Sequence, residues 1–150
     1  MYADSTFSIE PPGTKNHILE YNIIEEDVIA VLKGNVSTEN NGGFIQIRRD
    51  LKNINLENAN SVKLVAKGNS QKYYIFLRTT GTILPWQYYA SEFTVNENFN
   101  EFVLPISDFE KSGFLLAKNI NPKKITSIGI VAYGRDHEAE IFIKEIGFIK

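Results

Sequence analysis

Short apolar runs, many with polar residues at alternate places, recur along the chain between clusters of Asn, Gly, Ser and Pro. A two-residue period marks strands with one buried face, and runs this short favour a sandwich or barrel over alternating helices and parallel strands. The pattern predicts strands over 17–24, 28–37, 44–49, 61–67, 72–79, 87–95, 100–105, 125–133 and 138–149. Asn40-Asn41-Gly42-Gly43, Lys67-Gly68-Asn69-Ser70 and Gly134-Arg135-Asp136-His137 hold residues that accept positive φ, so each reads as a hairpin connection. Pro11-Pro12-Gly13 sets off an N-terminal arm, residues 1–15, from a single domain over 16–150. Ser107-Asp108-Phe109-Glu110-Lys111 is the best helical candidate, one turn capped by Ser107 or Asp108, and Asn121-Pro122 ends the connection after it. The expected fold class is all-β.

Alternation then assigns faces. In 44–49, Ile45 and Ile47 fall on one side and Phe44, Gln46 and Arg48 on the other. In 72–79, Tyr73, Ile75 and Leu77 share a side, opposite Tyr74, Phe76 and Arg78. With the aliphatic sets turned to the core, both strands present aromatic, amide and guanidinium groups outward. If the two strands are neighbours, Arg48 and Arg78 converge there.

Composition supports the β reading, since 10 Phe and 7 Tyr join a large stock of Ile and Val, residues that suit a pleated, half-buried surface. A chain of 150 residues can bury one core without a disulfide or structural metal. The net charge of −2 supplies no long-range field for nucleic acid or anionic lipid, leaving only a local basic face open. Zero Cys removes zinc-thiolate sites, iron–sulfur clusters and Cys nucleophiles. No run approaches the ~18 apolar residues of a membrane span, and MYADSTFSIE lacks the basic and apolar regions of a signal peptide.

Few residues are spaced for catalytic chemistry. His17 and His137 lie far apart in sequence without a nucleophile at triad spacing, and His137 reads as a solvated loop residue. Glu25-Glu26-Asp27 supplies oxygen donors for a hard cation but lacks a calcium-loop pattern. Asp108 and Glu110 read as surface-turn carboxylates, and an enzyme would require a buried pair among Asp108, Glu110, Asp136 and Glu138 at one pocket floor. No phosphate-cradling glycine motif occurs, and Asn35-Val36-Ser37 matches only the short glycosylation pattern. The most informative segment is Trp86-Gln87-Tyr88-Tyr89, because flat rings with polar tips stack on sugars or bury in protein interfaces. The candidate ligand-binding residues are therefore Gln46, Arg48, Tyr74, Phe76, Arg78, Trp86 and Tyr88, with no catalytic residue, metal or cofactor.

Several of these pieces, in order, resemble the family of complex I intermediate-associated protein 30. Leu32-Lys33-Gly34-Asn35-Val36-Ser37 followed by Asn40-Asn41-Gly42-Gly43-Phe44-Ile45-Gln46-Ile47-Arg48 is similar to that family's Gly-containing strand, Asn-Gly-Gly-Phe turn and strand ending in Arg. Val62 to Gly68 with Tyr73-Tyr74-Ile75-Phe76-Leu77-Arg78-Thr79 resembles the family's following hairpin, in which a Gly turn precedes a strand closing on Leu-Arg. Phe93-Thr94 and Phe102-Val103-Leu104-Pro105-Ile106-Ser107-Asp108-Phe109 resemble a later Leu/Ile-Pro step followed by Phe, and Ile125 to Val131 and Ile141 to Ile149 its last two strands. Two departures stand out: Asp27-Val28-Ile29-Ala30 replaces a Gly-rich segment, and Phe102 stands where a Trp is common.

The resemblance implies a jelly-roll, galactose-binding-like antiparallel β-sandwich acting as a non-catalytic binding or assembly-chaperone domain. Its partner would be a protein, such as respiratory-complex subunits, met through an exposed sheet face. The same architecture serves carbohydrate-binding modules, so a carbohydrate ligand is the alternative. A broad, flat face would favour the protein partner; a groove with Trp86 or Tyr88 open to solvent would favour the sugar. Nucleic acid is not expected.

Overall fold

The computed structural model describes the backbone of residues 8–10 and 14–20, and residues 30–37, 44–51 and 54–150 in full. The Asn40–Gly43 connection, the Glu25–Asp27 acidic run and Pro11–Gly13 lie outside the described residues. The strands are β1 (Ser8–Glu10), β2 (Thr14–Glu20), β3 (Ala30–Val36), β4 (Phe44–Asp50), β5 (Ser61–Gly68), β6 (Lys72–Thr79), β7 (Tyr89–Thr94), β8 (Asn100–Pro105), β9 (Glu110–Lys111), β10 (Ile125–Tyr133) and β11 (His137–Ile149). Among the described residues they form two antiparallel sheets, ordered β1-β4-β10-β6-β7-β9 and β2-β3-β11-β5-β8. The antiparallel β-sandwich expected from the sequence is the observed fold. Ser8–Glu10, within the expected arm, pair with Arg48–Gln46 as an edge strand.

Core composition follows the two-residue period. Ile45, Ile47, Tyr73, Ile75, Leu77, Ile128 and Ile130 from one sheet meet Leu32, Val62, Leu64, Ala66, Ile141, Ile143 and Ile146 from the other, all buried. In β11 the register against β5 slips between Ile143 and Glu145, and the buried positions change phase there, from Ala139, Ile141 and Ile143 to Ile146. One extra residue at the bulge re-aims everything after it. The outer face of the five-stranded sheet is charged, with Lys63 between Glu101 and Glu145 at 3.4 and 3.3 Å and Lys33 at 3.5 Å from Glu140.

Three expectations need correction. The connections after β3, β5 and β10 are not hairpins, because each joins strands lying in opposite sheets. Residues that permit a reversal do so equally well for a hairpin and for a corner; long-range pairing decides which forms. The single turn expected over 107–111 is a 3-10 turn over Ile106–Asp108 with no side-chain cap, and Glu110–Lys111 already pair as β9. A second 3-10 turn, Pro122–Lys124, is the one with a side-chain cap: Asn121 accepts from the Lys123 amide. Finally, β4 and β6 are not neighbours, since β10 runs between them.

At the corner before β11, His137 stands edge-on to the buried Tyr73 ring at 6.5 Å, with Nδ1 2.9 Å from the Arg135 carbonyl. Burial pushes its pKa below the ordinary 6.5. An unfolded chain therefore takes up this proton at a higher pH than the folded one, and stability falls as pH drops below 6.5. Thermal unfolding measured on either side of that pH should show this acid-side loss, and His137→Gln should reduce it.

Candidate functional site

The outer face of the six-stranded sheet is built from side chains in register. Arg48, Gly129, Phe76 and Ala90 form one cross-strand row, and Gln46, Val131, Tyr74 and Glu92 the next. Gly129 matters to this row because a Cβ there would lie 2.8 Å from Gln46 Oε1. Its missing side chain leaves room for the Gln46 amide, which accepts from Arg78 Nη1 at 3.5 Å. The Arg78 guanidinium in turn lies 5.9 Å from the centre of the Phe76 ring.

The connection between β6 and β7 folds back over this face. Its shape is held by the Gln87 side-chain Oε1, which accepts from the Ile83 and Leu84 backbone amides at 3.0 Å each, and by the Gln87 backbone amide, which donates to the Leu84 carbonyl. The strand accordingly begins at Tyr89, two residues later than the sequence pattern suggests, and Tyr88 lies flat on Phe76 with ring centres 3.9 Å apart and an interplanar angle of 7°. Tyr133 meets Tyr74 at 4.5 Å and Phe76 edge-on at 5.4 Å. Burial pushes the Tyr133 phenol well up, with Tyr88, Tyr74 and Glu92 adding to it, so it stays protonated.

These rings line a groove of about 500 Å³ whose other walls are Ala90, Ser91, Glu92, Asp108, Glu110, Lys111 and Ser112. Lys72 holds Glu92 at 3.1 Å, and Ser112 bonds both the amide and the carbonyl of Tyr88. Asp108 and Glu110 are both exposed at the rim, as are Asp136 and Glu138 at the far corner; no buried carboxylate pair arises among the four. Among the described residues no cluster of His, Cys, Asp or Glu is arranged to hold a metal.

The seven residues expected from sequence thus divide between three places. Tyr74 and Tyr88 line the groove, with Phe76 beneath Tyr88 and only 3% exposed. Arg48 and Arg78, one strand apart, share a shallow depression of about 290 Å³ with Asp50, Thr82 and Ser127, and Arg48 Nε lies 3.8 Å from Asp50. Gln46, on the same face but 1% exposed, serves as their support and presents no open surface. Trp86 stands on the loop, 67% exposed, and is not part of the groove lining. Tyr133, Glu92, Lys111 and Ser112 were not anticipated. Alternation in 125–133 does put Gly129, Val131 and Tyr133 on one side, but only the pairing of β10 with β6 brings that side to Tyr74.

No curated protein sequence matches the chain. Among solved structures, the family 11 carbohydrate-binding module of the cellulosomal cellulase Lic26A-Cel5E of Clostridium thermocellum aligns with a TM-score of 0.70 at 10% identity, covering 97% of this chain and 86% of that one. The Clostridium thermocellum family 11 module in complex with a β-1,3-1,4-mixed-linked tetrasaccharide aligns at 0.69 and 10% identity, covering 99% and 90%. A family 30 carbohydrate-binding module aligns at 0.58 and 12% identity, covering 91% and 75%. Likeness at such low identity is a likeness of fold. The sequence pattern of complex I intermediate-associated protein 30 matches residues 13–143. With that pattern running through both sheets and most of the length, the chain belongs to the complex I intermediate-associated protein 30 family.

Proposed function

We propose that this domain is a non-catalytic binding module that holds an extended carbohydrate chain in the Tyr74–Tyr88–Tyr133 groove. The observation that carries the reading is the groove's make-up: aromatic rings at its base and hydroxyl, carboxylate and ammonium groups on its walls. A sugar ring has an apolar face of C–H bonds and an equator of hydroxyls, so the rings take the face while Glu92, Asp108, Glu110, Lys111 and Ser112 take the hydroxyls. The fold relative bound to a mixed-linked tetrasaccharide supports a glycan on this architecture. Binding is equilibrium capture, the exposed rim carboxylates offering hydrogen bonds to sugar hydroxyls.

The test is titration calorimetry against a panel of soluble β-glucans and other plant and microbial polysaccharides. At least one is expected to bind, and Tyr88→Ala is expected to weaken it roughly tenfold, about 1.4 kcal/mol, by removing one ring and uncovering Phe76. A panel without a binder, or a binder indifferent to Tyr88→Ala, would overturn the reading. Membership in a family described as an assembly factor favours a second reading, in which the groove receives a protein segment, such as one from a respiratory-complex subunit. Native pull-down returning a protein lost with Tyr88→Ala, alongside a blank glycan panel, would select it.

A further inference from the structure

At one end of the sandwich, three connections are tied into a single unit. The Ser112 hydroxyl donates to the Trp86 carbonyl and accepts from the Tyr88 amide, both at 3.0 Å. The Thr80 amide donates to the Lys124 carbonyl at 2.9 Å, and the Tyr89 hydroxyl to the Ala117 carbonyl at 2.6 Å. Lys111 Nζ caps the turn after it, donating to the Phe114 and Leu116 carbonyls. Fixed in this way, the unit holds large apolar side chains in water: Ile83, Trp86, Phe114 and Leu115 are 81%, 67%, 86% and 77% exposed. Isolated exposed apolar residues are ordinary, but several on adjacent tied loops mark a contact surface.

Charge around the tip differs from the rest of the molecule. Residues 111–124 carry Lys111, Lys118, Lys123 and Lys124 and no carboxylate, and residues 79–90 carry no charge at all, in a chain of net charge −2. Lys124 lines the same depression as Leu115 and Leu116, and Lys118 neighbours Lys111 on the side facing Asp108 and Glu110. Lys118, Lys123 and Lys124 make no ion pair among the described residues. Protein interfaces are depleted in Lys, whereas Trp, Phe and Leu beside Lys match the boundary between lipid headgroups and acyl chains.

We infer that this tip docks on an anionic phospholipid surface, with Trp86, Phe114 and Leu115 entering the interface and the lysines meeting phosphate and carboxylate headgroups. Trp86, Phe114, Leu115, Lys118, Lys123 and Lys124 lie outside the glycan groove proposed above, which the tip meets at Lys111 and Ser112, so either assignment can fail alone.

Trp86 is the sole tryptophan, and its fluorescence reports the tip directly. Titration with phosphatidylcholine vesicles containing phosphatidylserine should shift its emission to the blue and carry the protein down on sedimentation. Added salt should weaken this, because exposed charges are screened. Phe114→Ser with Leu115→Ser should reduce partitioning roughly tenfold or more, as two apolar side chains lose their transfer out of water. Lys118→Glu with Lys124→Glu should do so by about thirtyfold or more, each lysine near such a surface contributing about 1 kcal/mol and charge reversal adding to the loss. All four positions are exposed, so unchanged melting temperatures should accompany both losses. Emission that stays unchanged with anionic vesicles, equal binding to pure phosphatidylcholine, or a blue shift that appears on concentrating the protein without lipid would each overturn the assignment, the last pointing to a second copy of this chain.

Discussion

Gly68→Ala should unfold roughly 6–12 °C below the parent protein, the equivalent of about 3 kcal/mol in a chain of this size. The reason is space: a Cβ on Gly68 would run into the backbone carbonyl oxygen of Glu140 and come within 2.9 Å of Val95 Cγ2 and 3.3 Å of Ile141 Cα. Ordinary overpacking is relieved by a side chain turning aside, but here the nearest wall is main chain. Glu140 is paired with Lys33 of β3, and Ile141 with Gly68 itself, so β11 cannot retreat without loosening both neighbours. The Gly68 amide also bonds the Asn96 carbonyl at 2.7 Å, closing off movement the other way. Gly113→Ala makes the control, since nothing lies within 4 Å of its Cβ and its melting temperature should match the parent. A Gly68→Ala protein melting with the parent would show that β11 is free to shift.

Tyr73→Phe should cost about 2 kcal/mol, read as a fall of roughly 4–8 °C. Tyr73 starts on β6 in one sheet and reaches through the core to the other, where its hydroxyl accepts from the Glu140 amide at 2.8 Å and donates to Asn69 Oδ1 at 2.7 Å. Asn69 then donates to the Glu138 carbonyl at 2.7 Å, so one oxygen ties both sheets and the corner between β5 and β6. Phenylalanine keeps the ring against Phe93 and His137 but orphans a buried N–H. Burial also raises the Tyr73 phenol from 10.0 to about 12. The unfolded chain thus loses this proton first, and stability should decline as pH climbs from 10 toward 12, a decline that Tyr73→Phe reduces and Tyr133, also raised, leaves in part. Denaturant titrations at neutral and alkaline pH give both numbers; a Phe variant as stable as the parent would mean that water satisfies Glu140.

Strand positions were legible because the two-residue period is local: Ile45 and Ile47, or Tyr73, Ile75 and Leu77, announce their inward side without knowledge of any other strand. Pairing was not. Asn, Gly and Ser between strands say that the chain reverses, yet Gly68 is needed for close approach and it is Ser70 that takes the positive φ, at 61°. The same gap separates the site from its sequence. Tyr74, Phe76 and Arg78 do occupy the outward side of β6, but Phe76 is covered because Tyr88 folds back through hydrogen bonds made by Gln87. Arg48 and Arg78 do share a depression, but across an intervening strand that alternation alone does not reveal: Arg48 pairs with Gly129 of β10 and Arg78 with Ser127.

Strand order carries a consequence for how the molecule is made. The two final strands occupy interior places, β10 joining β4 to β6 and β11 joining β3 to β5. On a ribosome, everything up to Lys124 would emerge as separate ribbons lacking the members that unite them, with apolar sides unmatched. Assembly is therefore postponed until β11 has left the exit tunnel, and the long-range pairings make that closing step slow, a window in which holdase chaperones would find the most to grip.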